Sequence, residues 1–229
     1  MTKHIGIVAC SAEGAALCYR TICIEGEKIL GRYNHPEITM HTFPLGEYMK
    51  LVTTSDWDGV AELMIQSAQK LAQGGADFAI CPDNTIHQAF DRVAIHSPIP
   101  WLHIADSVVD EAERRNFNHV ALLGTRFLME GPVYPKKFEE RGIQFSLPNE
   151  PERIRINDII FNELVYGRVL DRSKTYLYNV ITRLKNEGCN AVALSCTELP
   201  LIVLPDDSPL PPLDSTRLLA QDALKKATE

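Results

Sequence analysis

Cys196 stands at the end of an apolar run, Ala191-Val192-Ala193-Leu194-Ser195, and is followed by Thr197, Glu198, Leu199 and Pro200. An apolar run that stops abruptly at a small polar cluster is how a buried parallel strand reads where it delivers side chains to a pocket. The same construction occurs at Ala76-Asp77-Phe78-Ala79-Ile80-Cys81-Pro82-Asp83-Asn84-Thr85, and subtracting 113 places Cys196 on Asp83 and Thr197 on Asn84. A thiol suits proton transfer from carbon, because its reference pKa of about 8.5 leaves some thiolate near neutrality. Two proton-transfer groups on opposite sides of a small carbon acid are what stereochemical inversion needs, one removing the proton and the other returning one to the opposite face. Asn84, Thr85, Thr197 and the backbone N–H groups that follow offer donors for a substrate carboxylate and for the charge that develops as the adjacent C–H bond breaks. Such chemistry calls for no metal and no cofactor. In keeping with that, the chain has no P-loop, no GxGxxG and no lysine in a cofactor-like setting, nor any CxxC pair or Cys/His cluster at zinc spacing.

The elements that must position these residues repeat in order. Ile5-Gly6-Ile7-Val8-Ala9-Cys10 reads as a strand ending in Ser11, with a helix over 15–24; 37–43 alternates like a half-buried strand, and 57–73 carries apolar residues at helical spacing up to Gly74-Gly75. The strand to Asp83, a short helix over 87–93, the punctuated run Ser97-Pro98-Ile99-Pro100-Trp101-Leu102 and a helix over 107–115 complete the first half. His119 to Thr125 then matches the first strand at an offset of 115, Thr125 falling on Cys10. Helices over 129–141, 152–166 and 173–187, with a strand over 143–147, lead to the Cys196 strand. Beyond it, Ser208-Pro209-Leu210-Pro211-Pro212-Leu213 repeats the run at Ser97 at an offset of 111. Alternating strands and helices imply parallel sheets covered on both faces, with ligands beyond the carboxyl ends of the strands. The expected fold is therefore α/β, with two similar domains related by a pseudo-twofold axis and the active site in the cleft between them. The expected divisions are 1–105, 106–215 and a terminal helix over 216–229 that returns to the first half. Cys10, Ser11 and Thr125 would flank Asp83 and Cys196.

Composition bounds the partners. The 229 residues, 45% apolar and 23% charged, suffice for a large core, and a net charge of −7 without basic patches argues against nucleic acid or an anionic membrane surface. No apolar run approaches the roughly 20 residues of a membrane span, and no signal-peptide region precedes the first strand. Six cysteines without paired spacing fit free thiols in a reducing compartment, hence the cytoplasm.

The residues resemble the aspartate/glutamate racemase superfamily of cofactor-independent amino-acid racemases over nearly the whole chain. The resemblance is carried by Ile5-Gly6-Ile7-Val8 with Glu13 and Tyr19, Asn84-Thr85-Ile86-His87, Leu123-Gly124-Thr125-Arg126, Ile159-Ile160-Phe161-Asn162-Glu163-Leu164 before Gly167, and Cys196-Thr197-Glu198-Leu199-Pro200. It implies two α/β domains, a homodimer, a small amino acid or related carboxylic acid as substrate, and catalytic groups at Asp83 and Cys196. Where that family has cysteine, or in a subgroup threonine, before Asn-Thr, this chain has Asp83, with Cys81 two residues earlier. A carboxylate with a reference pKa of about 3.9 is a weaker base than a thiolate, so symmetric two-thiol chemistry gives way to an unequal pair. Plainer roles remain for several residues: Asp83 as a helix cap, Cys18, Cys23 and Cys189 as core thiols, and His87 as a packed histidine. Glu13 and Glu198 would orient neighbours, and Arg126 and Arg168 are candidates for a distal carboxylate. The alternatives to a racemase are a one-thiol decarboxylase or isomerase of a small dicarboxylic acid and an inactive amino-acid-binding homologue.

Overall fold

The computed structural model describes residues 2–229. In chain order the first elements are β1 (Ile5–Ala9), α1 (Ala12–Leu30), β2 (Ile38–Thr42), α2 (Leu45–Thr53), α3 (Trp57–Gln73), β3 (Phe78–Ile80), α4 (Phe90–His96) and α5 (Ile104–Arg114). There follow β4 (His119–Gly124), α6 (Arg126–Met129), α7 (Pro135–Glu140), β5 (Gln144–Ser146), α8 (Glu150–Asn162), α9 (Asp171–Asn186), β6 (Ala191–Ser195), β7 (Pro212–Asp214) and α10 (Ser215–Thr228). The fold is α/β, with two parallel sheets of three and four strands, ordered β2-β1-β3 and β5-β4-β6-β7. The chain divides into one unit of Met1–Ile104 with Thr216–Glu229 and another of Ala105–Ser215.

In the first unit, Ile5 and Ile7 of β1 pack with Phe78 and Ile80 of β3 against Cys18 and Ile22 of α1 and Leu219, Ala220 and Ala223 of α10. The other face of β1 meets α3, because a Cβ on Gly6 would lie 3.1 Å from Leu71 Cδ1. Both faces are thus covered, as parallel sheets require. In the second unit, Ala121 and Leu123 of β4 with Val192 and Leu194 of β6 pack on Ile156, Ile159 and Ile160 of α8 and on Leu177, Ile181 and Leu184 of α9. The intervening Val120, Leu122, Ala191 and Ala193 are equally buried on the opposite face.

The repetition in the sequence is repeated in local geometry at the amino ends of the strands. His4 N–H donates to Asp77 Oδ2 at 2.7 Å, and its Nε2 lies 2.8 Å from Thr39 Oγ1. His119 N–H donates to Asn190 Oδ1 at 3.2 Å, and its Nε2 lies 2.8 Å from Ser146 Oγ. A Cβ added to Gly75 (φ +89°) or to Gly188 (φ +104°) would lie 3.5 Å from the ring, and each histidine, through its backbone N–H and its imidazole, ties three neighbouring strand ends at the same place.

Several boundaries differ from expectation. The helix expected over 129–141 breaks into α6 and α7, because Gly131 and two prolines, Pro132 and Pro135, interrupt it. The helix expected over 15–24 runs the full length of α1, Ser11 Oγ capping it by accepting from Gly14 N–H at 3.2 Å. The helix expected over 152–166 stops at Asn162, and a 3₁₀ turn, Leu164–Tyr166, ends at Gly167 with φ +68°. The short helix expected over 87–93 is a 3₁₀ turn, Thr85–Ala89, running into α4, and the one expected over 107–115 starts at Ile104. The run at Ser208 supplies β7, paired parallel to β6, whereas its counterpart at Ser97 yields only a bridge between Trp101 and Ala79. α2 was not foreseen at all. No helix of the described residues is long and apolar enough to cross a membrane.

Candidate active site

In the second unit, the last paired residues of β4 and β6 are Gly124 and Ser195, so Thr125 and Cys196 leave adjacent strands side by side. Gly124 is what permits this closeness, since a Cβ there would stand 2.9 Å from Ser195 O and 2.5 Å from Leu128 Cδ2. Thr125, buried, caps α6 by accepting from Leu128 N–H at 3.2 Å. After Cys196 the chain curls into a 3₁₀ turn, Leu199–Leu201, with Leu199 N–H donating to Cys196 O at 3.2 Å. That curl folds the Glu198 side chain back over the thiol. Cys196 Sγ donates to Glu198 Oε2 at 2.9 Å, in a site where Cys196 is 7% and Glu198 5% exposed. Thr197, between them, is buried as well. A buried thiol held against a buried carboxylate can pass its proton across that single hydrogen bond.

Arg126 and Arg168 are engaged elsewhere. Arg126 Nε pairs with Glu130 at 3.0 Å on an exposed helix turn. Arg168 donates to the Asn162 carbonyl oxygen and lies over the Tyr166 ring, 5.5 Å from its centroid.

In the first unit, β1 delivers buried Cys10 and half-buried Ser11, and β3 delivers Cys81, Pro82 and then half-buried Asp83. Asp83 Oδ1 accepts from Thr85 N–H at 3.1 Å, with Ile86 N–H at 3.5 Å, so the carboxylate caps the 3₁₀ turn that Asn84 and Thr85 begin. Asn84 is buried, and its carbonyl accepts from His87 N–H at 3.2 Å. His87 is packed, its Nε2 3.1 Å from Cys81 O and its ring stacked 5.4 Å from that of Phe90. Cys81 is wholly buried. Burial above all, then the Asp83 charge, pushes its thiol well above the usual range, so it stays protonated while Asp83 takes the position beside Asn84.

One side chain at this end went unread in the sequence. Tyr48 of α2 is 0% exposed and lies among Cys10, Cys81, Asp83 and Ser67. The signal was present in Leu45, Tyr48, Met49 and Val52, which follow the i, i+3, i+4, i+7 spacing of a helix with one apolar face. Among the described residues, no three His, Cys, Asp or Glu side chains converge to hold a metal ion.

These features describe a parallel α/β protein in which acid and base side chains gather at the carboxyl ends of the strands. A model of the Asp/Glu/Hydantoin racemase family matches residues 30–223, and the chain belongs to that family. It is 23% identical over 206 residues to a Bacillus subtilis (strain 168) protein named broad specificity amino-acid racemase RacX, covering 86% of each chain. It is 29% identical to an aspartate racemase homologue of Pyrococcus horikoshii OT3, with a TM-score of 0.86 over 100% of both chains. Aspartate racemase from Picrophilus torridus shares the fold, at 17% identity and a TM-score of 0.80 over 99% of this chain and 94% of the other.

Proposed function

We propose that this protein is a cofactor-independent amino-acid racemase or epimerase in which Cys196 and Asp83 exchange the α-proton on opposite faces of the substrate. The observation that carries the reading is the buried Cys196–Glu198 hydrogen bond at 2.9 Å, together with membership of the family. In one direction Glu198 takes the thiol proton, the thiolate takes the α-proton, and a protonated Asp83 returns a proton to the other face. In the reverse direction the Asp83 carboxylate removes the α-proton and the Cys196 thiol supplies one. Asn84, Thr85, Thr197 and Thr125 offer donors for the substrate carboxylate and the developing carbanion. Cys10 and Ser11 line the Asp83 end. The substrate is a free amino acid or related carboxylic acid, handled by a homodimer in the cytoplasm. The reading is supported by the broad specificity in the name of the B. subtilis relative and by the six free cysteines. Because Asp83 is already engaged as a cap, a second reading is a one-thiol enzyme that protonates a carbanion from one face only.

A panel of D- and L-amino acids incubated in heavy water tests this. Solvent deuterium at the α-position, with loss of optical purity, is expected for at least one pair of enantiomers without added pyridoxal phosphate or metal. No exchange with any amino acid would overturn the racemase reading, and exchange without inversion would support the one-thiol reading.

Glu198→Gln is expected to keep a hydrogen-bond acceptor for the thiol but to lose the proton acceptor. Exchange in the direction that uses Cys196 as base should fall about 10²-fold, the lower end of what a positioned proton acceptor contributes. The loss should shrink as rising pH ionises the thiol without help from Glu198. A uniform loss in both directions at every pH would show that Glu198 serves only to pack the turn.

A further inference from the structure

We propose that Tyr48 is a positioning residue for Asp83, its phenolic O–H donating to the Asp83 carboxylate in the working enzyme and holding it charged and aimed. The proposal rests on the reading of Asp83 as an acid/base. It starts from a polar atom in an odd place: the Tyr48 hydroxyl is fully buried at the carboxyl end of the first sheet and has no hydrogen bond of good geometry among the described residues. Leaving a buried donor unsatisfied is costly, and a phenylalanine would fill the same space without that cost.

The neighbours of the hydroxyl define what it can serve. Cys10 comes from the end of β1, Cys81 and Asp83 from the end of β3, and Ser67 from α3. Ser67 engages the hydroxyl only through a poorly aligned contact, its own Oγ lying 3.0 Å from His41 Nδ1, and Lys70 of α3 turns to His41 Nε2 at 3.0 Å. On α2 itself, Glu47 and Lys50 pair with each other at 2.8 Å on the exposed side. Burial, with Cys81, Cys10 and Asp83 adding to it, pushes the Tyr48 phenol far above the ordinary tyrosine range, so it keeps its proton and acts only as a donor. The Cys81 thiol is held protonated in its turn. Of the groups around the phenol, Asp83 is the carboxylate, and a hydroxyl binds a charged acceptor more strongly than a neutral one. Thr85 N–H and Ile86 N–H approach Oδ1 from the 3₁₀ turn, and a bond from Tyr48 on α2 would hold the carboxylate from a second element.

The consequence is readable in a pH profile. A donor that favours the carboxylate extends its working range downward in pH. In Tyr48→Phe, the acid limb of α-proton exchange on the Asp83-dependent face should move up by about 0.5–1 pH unit. Exchange on the Cys196-dependent face should keep its profile. Placing 3-fluorotyrosine at position 48, a better donor of the same shape, should move the limb the other way, which keeps the test open if the phenylalanine variant folds poorly. In an Asp83→Asn background, Tyr48→Phe should change exchange rates by less than about 2-fold. Unmoved limbs in both position-48 variants, with Asp83→Asn still abolishing exchange on one face, would overturn the role of Tyr48 alone. Retained exchange on both faces in Asp83→Asn would overturn the reading of Asp83 and this proposal with it.

Discussion

Cys196→Ser is expected to lower racemisation by about 10²–10⁴-fold, the usual contribution of a positioned general acid/base, with little loss of stability. The serine hydroxyl still donates to Glu198 but ionises far less readily than a thiol. Cys196→Ala should lose the same activity and, in addition, about 1–3 kcal/mol of stability, because the buried Glu198 carboxylate is left without the thiol that now donates to it at 2.9 Å. Racemisation assays and urea unfolding on the same preparations check both. Wild-type turnover in either variant would remove Cys196 from the mechanism, and equal stability of the two would show that the thiol contributes nothing to holding Glu198.

Asp83→Asn should separate the two faces. The amide oxygen can still accept from Thr85 N–H, a bond of 3.1 Å in the wild type, so the 3₁₀ turn keeps its cap. The amide cannot carry a proton, and exchange of the enantiomer that uses Asp83 as base should fall about 10²–10⁴-fold. Exchange of its mirror image through Cys196 should persist, since solvent deuterium can enter from the thiol side alone. The wild type should itself be lopsided, because an ordinary carboxylate is a weaker base than a thiolate, and Asp83→Cys should reduce that asymmetry. Heavy-water exchange of each enantiomer by the wild type and both variants, followed by NMR, gives the rates. Comparable exchange of both enantiomers that survives Asp83→Asn would confine Asp83 to its capping role.

What could be read in advance was whatever is written as period and punctuation. The buried strands β1, β4 and β6, the offsets between the halves, and the Asn84-Thr85 and Cys196-Thr197-Glu198 clusters all declare themselves through apolar runs that end sharply. The breaks inside the region expected as one helix from Met129 were also written, in Gly131, Pro132 and Pro135, and were outweighed by the apolar residues around them. Other features depend on contacts that no local pattern carries. The Glu198 side chain reaches Cys196 because the chain curls after β6; on an extended strand residues two apart share a face but stand roughly 6.6 Å apart along it. Tyr48 is polar at its tip and apolar along its ring, so its helix reads as a short surface segment until its neighbours Cys10, Cys81 and Asp83, which lie far apart in sequence, are brought round it.

The first unit is assembled from both ends of the chain, with Lys3 N–H donating to Ala227 O at 2.8 Å and Leu219, Ala220 and Ala223 of α10 lying on Ile5 and Ile7. The second unit is one uninterrupted stretch, Ala105–Ser215. On the ribosome, where domains form as their residues emerge, this reverses the order of synthesis. The stretch made later is whole as soon as Ser215 has left the exit tunnel, while the one begun first waits for α10 with the apolar side of β1 covered only by α1. A nascent chain halted anywhere between Ile104 and Thr216 therefore carries an incompletely covered sheet face as a handle for chaperones and proteases.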